Sequence, residues 1–383
     1  MGEGKKYWRY IEEDGVTASY GLATDEFLMS YGLTDDAKYP VSLKLYTYRD
    51  HCALAGRFQD IRAEIDTANC EEAGIGYSRR LTGGGAIIMG KDQLGICLTA
   101  SGKYFQWEHV RELYHLFSKP VISALQEMGI NAQFRSKNDL EVNGKKIAGL
   151  GVHISPENTL QFHTSLLIDL DTSAMLKILK IPIQKFSDKR MTASIEQRLT
   201  TIRRETGRTV TLEVVRQTIK KHFEAFFEVS MDHVPVDDAE KKAIRKLEKK
   251  RYLDPAWVFQ YSPQEDMTGM GLKKTKAGLL RTYIGLKGET IKSVLITGDF
   301  FEQAEVFSRI ESDLKWGALE KEKISEVVKR IMDEYDTGNI YGVSAAEITE
   351  AVWLAAQRAL AANRYTYKGS CYYPKTEKEG AAL

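Results

Sequence analysis

The chain has 383 residues, of which 43% are hydrophobic and 28% are charged, an ordinary soluble composition at a length that predicts two domains, each able to bury a core. With 54 basic and 53 acidic residues the formal net charge is only +1, which excludes recruitment of nucleic acid or of an anionic membrane by a global basic field. The four cysteines lack metal-ligand spacing, and no long apolar run predicts a membrane span or a signal peptide. We therefore expect a cytoplasmic protein that binds neither nucleic acid nor membranes.

The first part of the chain alternates short β-type runs with helical patterns. Strands are predicted at residues 7–13 and in five glycine-punctuated runs between residues 42 and 100, which are SLKLYTY, ALAGRF, GIGYSR, GAIIM and GICLTA. Helices are predicted at 18–31 and at 107–128, where apolar residues recur at spacings of three and four. These runs predict a sheet that the second helix covers on one face.

The strongest hairpin signal in the chain is Asn143-Gly144, because this pair accepts the positive φ angles of a two-residue turn. It joins DLEV to KKIAGLGVHI, and LQFHTSLLIDL supplies the next strand. Helices are then predicted at 173–179 and 212–227. With these elements, the first domain is predicted to occupy residues 1–235.

The rest of the chain predicts a smaller domain. Dense mixed charge indicates a linker at 236–254, followed by a small domain at 255–345 and by a terminal helix with a peripheral tail at 346–383. The small domain is predicted to contain strands at 257–260, 279–286 and 291–296 and helices that begin near Glu305 and Lys323. The predicted fold class is α+β, with mixed sheets flanked by helices in the large domain and a small α+β domain at the C-terminal end.

The stretch RRLTGGGA, residues 79–86, carries the first chemical signal. Glycines let backbone N–H groups approach an anion, and Arg80 supplies a planar donor fork suited to carboxylate or phosphate. The alternative is a tight turn with two surface cations. The stretch matches neither a Walker A loop nor GxGxxG, so the common nucleotide-binding templates do not apply.

A second cluster surrounds the hairpin turn. Lys146 enters a strand of small apolar residues, where its ammonium could neutralise an attacked phosphate, although a lysine after a hairpin turn is commonly a solvated cation. Asn138 and Asp139 could bind ribose or a metal-bridged phosphate, or form an ordinary turn pair. The two clusters together suggest chemistry on a phosphorylated intermediate.

Two further features follow in the chain. His163 lies on a predicted strand and could serve the site at neutral pH, while a structural role is the alternative. The polar loop that contains 187–190, Ser194 and Arg198 could act as a lid or could simply face solvent.

Several motifs in this order resemble those of the lipoate–protein ligase A family, part of the biotin/lipoate ligase superfamily. The resemblance covers roughly residues 7–340. In the first domain the matching stretches are Gly56-Arg57-Phe58-Gln59 (GRxQ), residues 80–86 (RxSGGGA), Asn138-Asp139-Leu140 (NDL), Lys146-Ile147-Ala148-Gly149 (K-[IV]-[SA]-G), residues 163–167 (HGTLL), and 192–194 with 198–200 (TSVxxRVT). In the smaller domain, the region around Trp257 and residues 296–301 resemble an accessory domain that ends in IxGDFF.

The resemblance implies a catalytic domain with a class II synthetase or biotin ligase-like fold and a two-step, ATP- and Mg²⁺-dependent reaction. Lipoate or octanoate would attack the α-phosphate of ATP to give acyl-AMP, which a carrier lysine would then attack. The implied carrier is a 2-oxoacid dehydrogenase E2 lipoyl domain, a glycine cleavage H protein or a related lipoyl carrier protein. Lys146 would be the catalytic residue, and Asp139 also a candidate Mg²⁺ ligand.

The resemblance also implies a set of residues that bind the substrate or the adenylate. These are Arg80, Thr82, Gly83, Gly84, Gly85, Ala86, Asn138, Asp139, Ala148, Gly149, His163, Ser194 and Arg198. Ala86, Ile87 and Ala148 would bound the acyl tunnel.

The chain departs from the family pattern at two positions. Met89 stands where the family has histidine, which predicts a longer turn and a different substrate range or carrier. Thr164 stands where glycine is usual after the histidine, and it is expected to narrow the pocket.

The sequence leaves two other functions open. A transferase of the same fold would need a cysteine thiolate beside the site, whereas Cys97 lies on an apolar strand and Cys371 in the tail. A non-catalytic scaffold that binds the carrier is the third possibility. A biotin ligase is disfavoured because the GRGRxGR-type loop is missing.

Overall fold

The computed structural model describes residues 6–31, 38–135, 138–171, 175, 177–180, 197–300, 304–335, 342–366, 369–370 and 373–374. The chain divides into two compact units, Met1–Gln260 and Tyr261–Leu383. None of the helices in the described part of the chain is both long enough and apolar enough to cross a bilayer.

The first unit contains eleven described strands and eight described helices. The strands are β1 (Lys6–Val16), β2 (Val41–Tyr48), β3 (Cys52–Ala55), β4 (Gly76–Arg79), β5 (Ile87–Met89), β6 (Gln93–Ser101), β7 (Gln133–Arg135), β8 (Asp139–Val142), β9 (Lys145–Ile154), β10 (Thr159–Leu167) and β11 (Val229–His233). The helices are α1 (Ala18–Tyr31), α2 (Ile61–Glu64), α3 (Thr67–Glu72), α4 (Val110–Glu127), α5 (Ile202–Thr206), α6 (Leu212–Phe227), α7 (Asp238–Leu247) and α8 (Pro255–Val258). A π-helical turn, Glu248–Tyr252, follows α7.

Eight of these strands form one mixed sheet in the order β11-β1-β2-β6-β10-β9-β8-β7. β1 pairs in parallel with β11 and β2, and the other neighbours are antiparallel. A second sheet has the order β4-β3-β5. The predicted mixed-sheet α+β architecture is therefore confirmed, and the Asn143-Gly144 hairpin is confirmed by positive φ angles of 50° and 77°.

Both faces of the large sheet are covered. On one face α4 and α6 pack their apolar stripes against alternate residues of the central strands, such as Leu94, Ile96 and Leu98 of β6. On the other face Cys97 joins a core formed with α1 and the small sheet. The small sheet is thus held over the face of the large sheet that carries α1, and its connecting loops reach the middle strands.

The charged segment at 236–254 is a folded part of the first unit and not a linker. Asp237 caps α7 with a full capping box, and the segment buries Ile244 and Tyr252 in the core beside α1. The dense charge is the solvated face of this helix, so the unit boundary lies after Gln260. The strand predicted at 257–260 is also wrong, because Asp254 caps and Pro255 begins the short helix α8.

The second unit contains a three-stranded antiparallel sheet and three helices. The strands are β12 (Gly269–Lys274), β13 (Leu279–Lys287) and β14 (Thr290–Gly298), and the helices are α9 (Ala304–Leu314), α10 (Lys321–Glu334) and α11 (Ala345–Thr366). A short pair, β15 (Gly369–Ser370) and β16 (Tyr373–Pro374), follows. Because α11 packs on β12 and β13, the terminal helix belongs to this unit and is not a separate C-terminal region. Of the helix predicted at 173–179, residues 175 and 177–179 are described, and Leu179 N–H donates to Met175 O at 3.0 Å as in a helical turn.

Candidate active site

The glycine stretch forms a loop directly after β4. Gly84 has a φ of 91°, a left-handed conformation that glycine adopts without strain. Backbone bonds tie the loop to the end of β3, since Arg57 N–H donates to Thr82 O at 2.9 Å and Arg80 N–H to Ala55 O at 3.0 Å. The loop is therefore a rigid extension of the small sheet.

The Arg80 side chain is buried inside this loop. Its guanidinium donates to the carbonyl of Leu54 at 2.7 Å and to those of Gly83 and Gly85 at 3.0 Å each. Arg79, fully buried beside it, donates to backbone carbonyls that include those of Gly56 and Val258. The alternative of two surface cations is thus excluded, and the arginines fix the shape of the loop while their positive charge stays near it.

Lys146 lies at the start of β9 with its backbone fixed on one side. Its N–H donates to Arg198 O at 2.7 Å, and its carbonyl accepts from Thr200 N–H at 2.8 Å. Its ammonium forms an ion pair with Asp139, with Nζ 2.7 Å from Oδ1. Gly149 leaves the space for this ammonium, because a Cβ there would lie 2.8 Å from Nζ.

His163 is buried against the glycine loop. Its Nδ1 lies 3.2 Å from the hydroxyl of Thr82, which in turn accepts from Arg80 Nε at 3.3 Å. Burial, and secondarily the charge of Arg80, lower the pKa of His163 to about 3. The imidazole is therefore neutral at physiological pH and acts through hydrogen bonds, not as a cation.

These groups surround one cleft with an empty volume of about 430 Å³. The loop forms one wall, and β9 and β10 form the floor, where Gly149 pairs with Ser165 and Gly151 with His163. Asn138 is held at the rim because its Nδ2 donates to Leu150 O at 3.0 Å. The lining residues are Arg80, Gly83, Gly84, Gly85, Ala86, Ile87, Asn138, Lys146, Gly149, Leu150, Gly151, His163 and Ser165.

Four predicted residues are near the cleft without lining it. Each of the first three contacts a residue that does line it. The Thr82 hydroxyl is hydrogen-bonded to His163, the Asp139 carboxylate is paired with the Lys146 ammonium, and the Arg198 carbonyl accepts from Lys146 N–H. Ala148, predicted to bound the acyl tunnel, is fully buried in the core covered by α4 and α6 and does not line the cleft. Side chains alternate along a strand, which turns Ala148 away from the face that Gly149 occupies. Ser194 and the polar loop at 187–190 lie outside the described residues.

Three lining residues were not predicted as site residues, namely Leu150, Gly151 and Ser165. A signal for two of them is present in the sequence. Gly151 follows Gly149, and Ser165 follows His163, at the two-residue spacing that places side chains on one face of a strand.

The two departures from the family pattern both fall in the protein interior. Met89 is buried in the core with α1 and does not line the cleft. Thr164 is fully buried, and its hydroxyl donates to Gly149 O at 2.8 Å. The expected narrowing of the pocket by Thr164 is therefore wrong, because its side chain is hydrogen-bonded to the neighbouring strand β9 and does not enter the cleft.

No cysteine of the described ranges lines the cleft. Cys52, Cys70 and Cys97 are buried, and burial raises the pKa of each thiol, for Cys70 to about 11.

The described part of the chain contains no group of three or more histidine, cysteine, aspartate or glutamate side chains that could hold a metal ion. Asp139 thus offers a single carboxylate, which suits a Mg²⁺ ion that takes its remaining ligands from substrate phosphates and water.

The sequence of this chain is similar to those of known proteins. The model of the lipoyl protein ligase A/B catalytic domain matches residues 17–224. Octanoyltransferase LipM of Geobacillus kaustophilus is 23% identical over 279 residues, which cover 67% of this chain and 99% of LipM. Lipoate-protein ligase LplJ of Bacillus subtilis is 26% identical over 322 residues, which cover 83% of this chain and 92% of LplJ.

A solved structure shares the fold. It contains a bi-partite lipoate protein ligase and its E2 lipoyl domain from Thermoplasma acidophilum. The TM-score is 0.59 at 22% identity, over 68% of this chain and 99% of the solved one.

Proposed function

The chain belongs to the lipoyl protein ligase A/B catalytic domain family, and we propose that within this family it is an ATP-dependent lipoate–protein ligase. It activates lipoate or octanoate as acyl-AMP and transfers the acyl group to a lysine of a lipoyl carrier domain. The observation that carries this proposal is the position of the Lys146 ammonium in the same cleft as the glycine loop. Such an arrangement suits charge that develops on a phosphate.

In the first step a carboxylate oxygen attacks the α-phosphate, an acyl–phosphate bond forms, and the bond to pyrophosphate breaks. Negative charge is concentrated on the phosphate oxygens in the transition state. Lys146 supplies a compact positive charge for these oxygens, and the left-handed turn at Gly84 lets the backbone approach them. Arg80, already bonded to the loop carbonyls, adds a fixed positive field without needing to move.

A Mg²⁺ ion fits this site only together with the nucleotide. Asp139 would supply the carboxylate ligand, the phosphates would supply others, and the ion would neutralise phosphate charge.

In the second step the ε-amine of the carrier lysine attacks the acyl carbonyl. A C–N bond forms, the C–O bond between the acyl carbon and AMP breaks, AMP leaves with that oxygen, and the amine loses a proton to solvent. Neutral His163, positioned by the Thr82 hydroxyl at its Nδ1, would offer its Nε2 to the acyl carbonyl, and its lack of charge suits the apolar acyl chain beside it.

The rival function is acyl transfer without ATP. The name of the relative LipM, an octanoyltransferase, states acyl transfer for that protein. Transfer through a thioester requires a thiolate at the cleft, whereas Cys52, Cys70 and Cys97 lie in the core with raised pKa values. The match to LplJ also covers more of the chain than the match to LipM. Both observations favour the ligase.

The deciding experiment incubates the purified protein with lipoate, Mg-ATP and an apo-lipoyl carrier, either an E2 lipoyl domain or an H protein. Carrier mass and AMP are followed together. A ligase gives an acylated carrier and stoichiometric AMP. Transfer from an octanoylated donor carrier without ATP would identify the transferase, and no transfer under either condition would identify a scaffold.

A further inference from the structure

The ion pair between Asp139 and Lys146 has two features that set it apart from an ordinary surface pair. The Lys146 and Asp139 side chains are 30% and 32% exposed, so the ammonium can reach solvent and the cleft. Yet Asp139 Oδ1 itself is buried, and no hydrogen bond from the described residues reaches it besides this ion pair. The carboxylate thus depends on the ammonium, while the ammonium has room to leave.

The surroundings of Lys146 separate its backbone from its side chain. The backbone is held to Arg198 and Thr200 by two hydrogen bonds. The side chain lies over Gly149, where a Cβ would come within 2.8 Å of Nζ and 3.0 Å of Cε. Any movement of the ammonium therefore occurs by side-chain rotation, and its present position exists only because residue 149 is glycine.

We propose that Asp139 is a positioning residue that holds the Lys146 ammonium at the edge of the cleft until substrate phosphate arrives. The ammonium then exchanges the carboxylate for the phosphate and frees Asp139. A partly exposed ion pair contributes little net free energy, so a multiply charged phosphate can displace it. The proposal rests on the proposed function, since it requires that the cleft receives a phosphate.

One consequence concerns the charge of the carboxylate. In the structure Asp139 Oδ1 is paired with the Lys146 ammonium. Departure of the ammonium would leave the full negative charge of Asp139 available to a divalent cation that arrives with the nucleotide.

The test measures how fast an amine-reactive ester acylates Lys146 relative to Lys145, by mass spectrometry of the peptide that contains both. Lys145 is exposed and serves as an internal reference. Asp139→Asn removes the carboxylate charge with little change in shape, and we expect the ratio to rise about two- to fivefold. An unchanged ratio would overturn the proposal.

The matched control is Glu127→Gln, which removes an exposed carboxylate at the end of α4 that pairs with Lys221. Its Lys146 to Lys145 ratio should equal that of the unchanged protein, and a similar rise would overturn the proposal. If Asp139→Asn fails to fold, Gly149→Ala tests the same point, because its Cβ expels the ammonium and the ratio should rise.

A second arm repeats the labelling with Mg-ATP. Lys146 should become protected from the ester. The difference in labelling ratio between Asp139→Asn and the unchanged protein should disappear, because in each protein the Lys146 ammonium then contacts phosphate. A difference that persists would overturn the exchange. Lack of any protection in the unchanged protein would instead count against the proposed function, while the result without nucleotide would still stand.

Discussion

A Cβ at Gly56 would collide with the carbonyl oxygen of Gly84. The two glycines belong to different stretches of sequence, one at the end of β3 and the other in the loop after β4. Their backbones touch, and Gly56 N–H also donates to Gln59 Oε1 at 2.8 Å. The GRFQ stretch is therefore a support on which the glycine loop is built.

This contact predicts that Gly56→Ala disrupts the loop. The neighbouring atom is a backbone carbonyl that no side-chain rotation can remove, so the loop must shift away from the cleft. We expect adenylate formation to fall by about 100-fold and the free energy of unfolding by roughly 1–3 kcal/mol. ATP–pyrophosphate exchange and denaturant unfolding measure the two effects.

Gly76→Ala is the matched control for this variant. Gly76 begins β4 in the same small sheet, and nothing lies within 4 Å of a Cβ there. Its activity and stability should stay near those of the unchanged protein. Equal losses in the two variants would show that the Gly56–Gly84 contact has no special role.

Lys146→Met should sharply lower the rate of acyl-AMP formation while the fold is retained. The side chain is partly exposed and the backbone bonds to Arg198 and Thr200 do not involve it, so little packing is lost. Loss of one preorganised charge in such a site costs about 100- to 1,000-fold in rate. Acyl-AMP is measured by chromatography and the fold by circular dichroism. A normal rate of acyl-AMP formation would refute the proposed role of Lys146.

Much of the site could be predicted because its residues follow strand geometry. The Asn143-Gly144 turn places Lys146 at the start of a strand, and period-two alternation brings Gly149 and His163 to the same face. The same rule, applied consistently, would have excluded Ala148 and included Gly151.

Other features depend on contacts between distant segments, which local patterns do not encode. The guanidinium of Arg80 is bonded to carbonyls of β3 and its own loop, and Met89 is in a core with α1. The dense charge of residues 236–254 predicts a linker, because a solvated helix face and a linker have similar amino-acid composition. Burial of Ile244 and Tyr252, a tertiary effect, distinguishes them.

The neutral state of His163 predicts a pH dependence of stability. Its pKa in the folded protein, about 3, lies below the ordinary value of 6.5. Between these values the unfolded chain takes up a proton that the folded chain does not, so stability is full above pH 6.5 and is lost as the pH falls towards 3. The His163→Gln variant cannot take up this proton. Between pH 7 and pH 4 its free energy of unfolding should therefore fall by roughly 1–3 kcal/mol less than that of the unchanged protein. Denaturant unfolding at both pH values tests this, and identical losses would contradict it.

Trp316 predicts a stabilising substitution in the second unit. It follows the end of α9 with a φ of 65°, a left-handed conformation that is costly for a bulky residue, and its side chain is 56% exposed. Trp316→Gly should therefore raise the free energy of unfolding by about 1 kcal/mol. Lys315→Gly, one residue earlier and without a positive φ, should lower it by roughly 0.5–1 kcal/mol. Thermal unfolding followed by circular dichroism compares them, and a loss of stability in Trp316→Gly would show that the indole contributes more than the strain costs.

Glu311 predicts a pH effect of the opposite sign. Burial raises its pKa to about 7, although Ile296 N–H donates to its Oε1 at 2.6 Å and partly opposes this. Between the ordinary value of 4.5 and pH 7 the folded chain retains a proton that the unfolded chain has released, so stability falls as the pH rises through this range. Glu311→Gln keeps an oxygen acceptor for Ile296 without the charge. It should be more stable than the unchanged protein by about 1–2 kcal/mol at pH 8 and equally stable at pH 4.

Glu305→Gln, at an exposed position on the same helix, is the control for Glu311→Gln and should change stability by less than about 0.5 kcal/mol at either pH. Urea unfolding at both pH values measures these differences, and a gain for Glu311→Gln that is equal at pH 4 and pH 8 would assign it to packing and not to the buried charge.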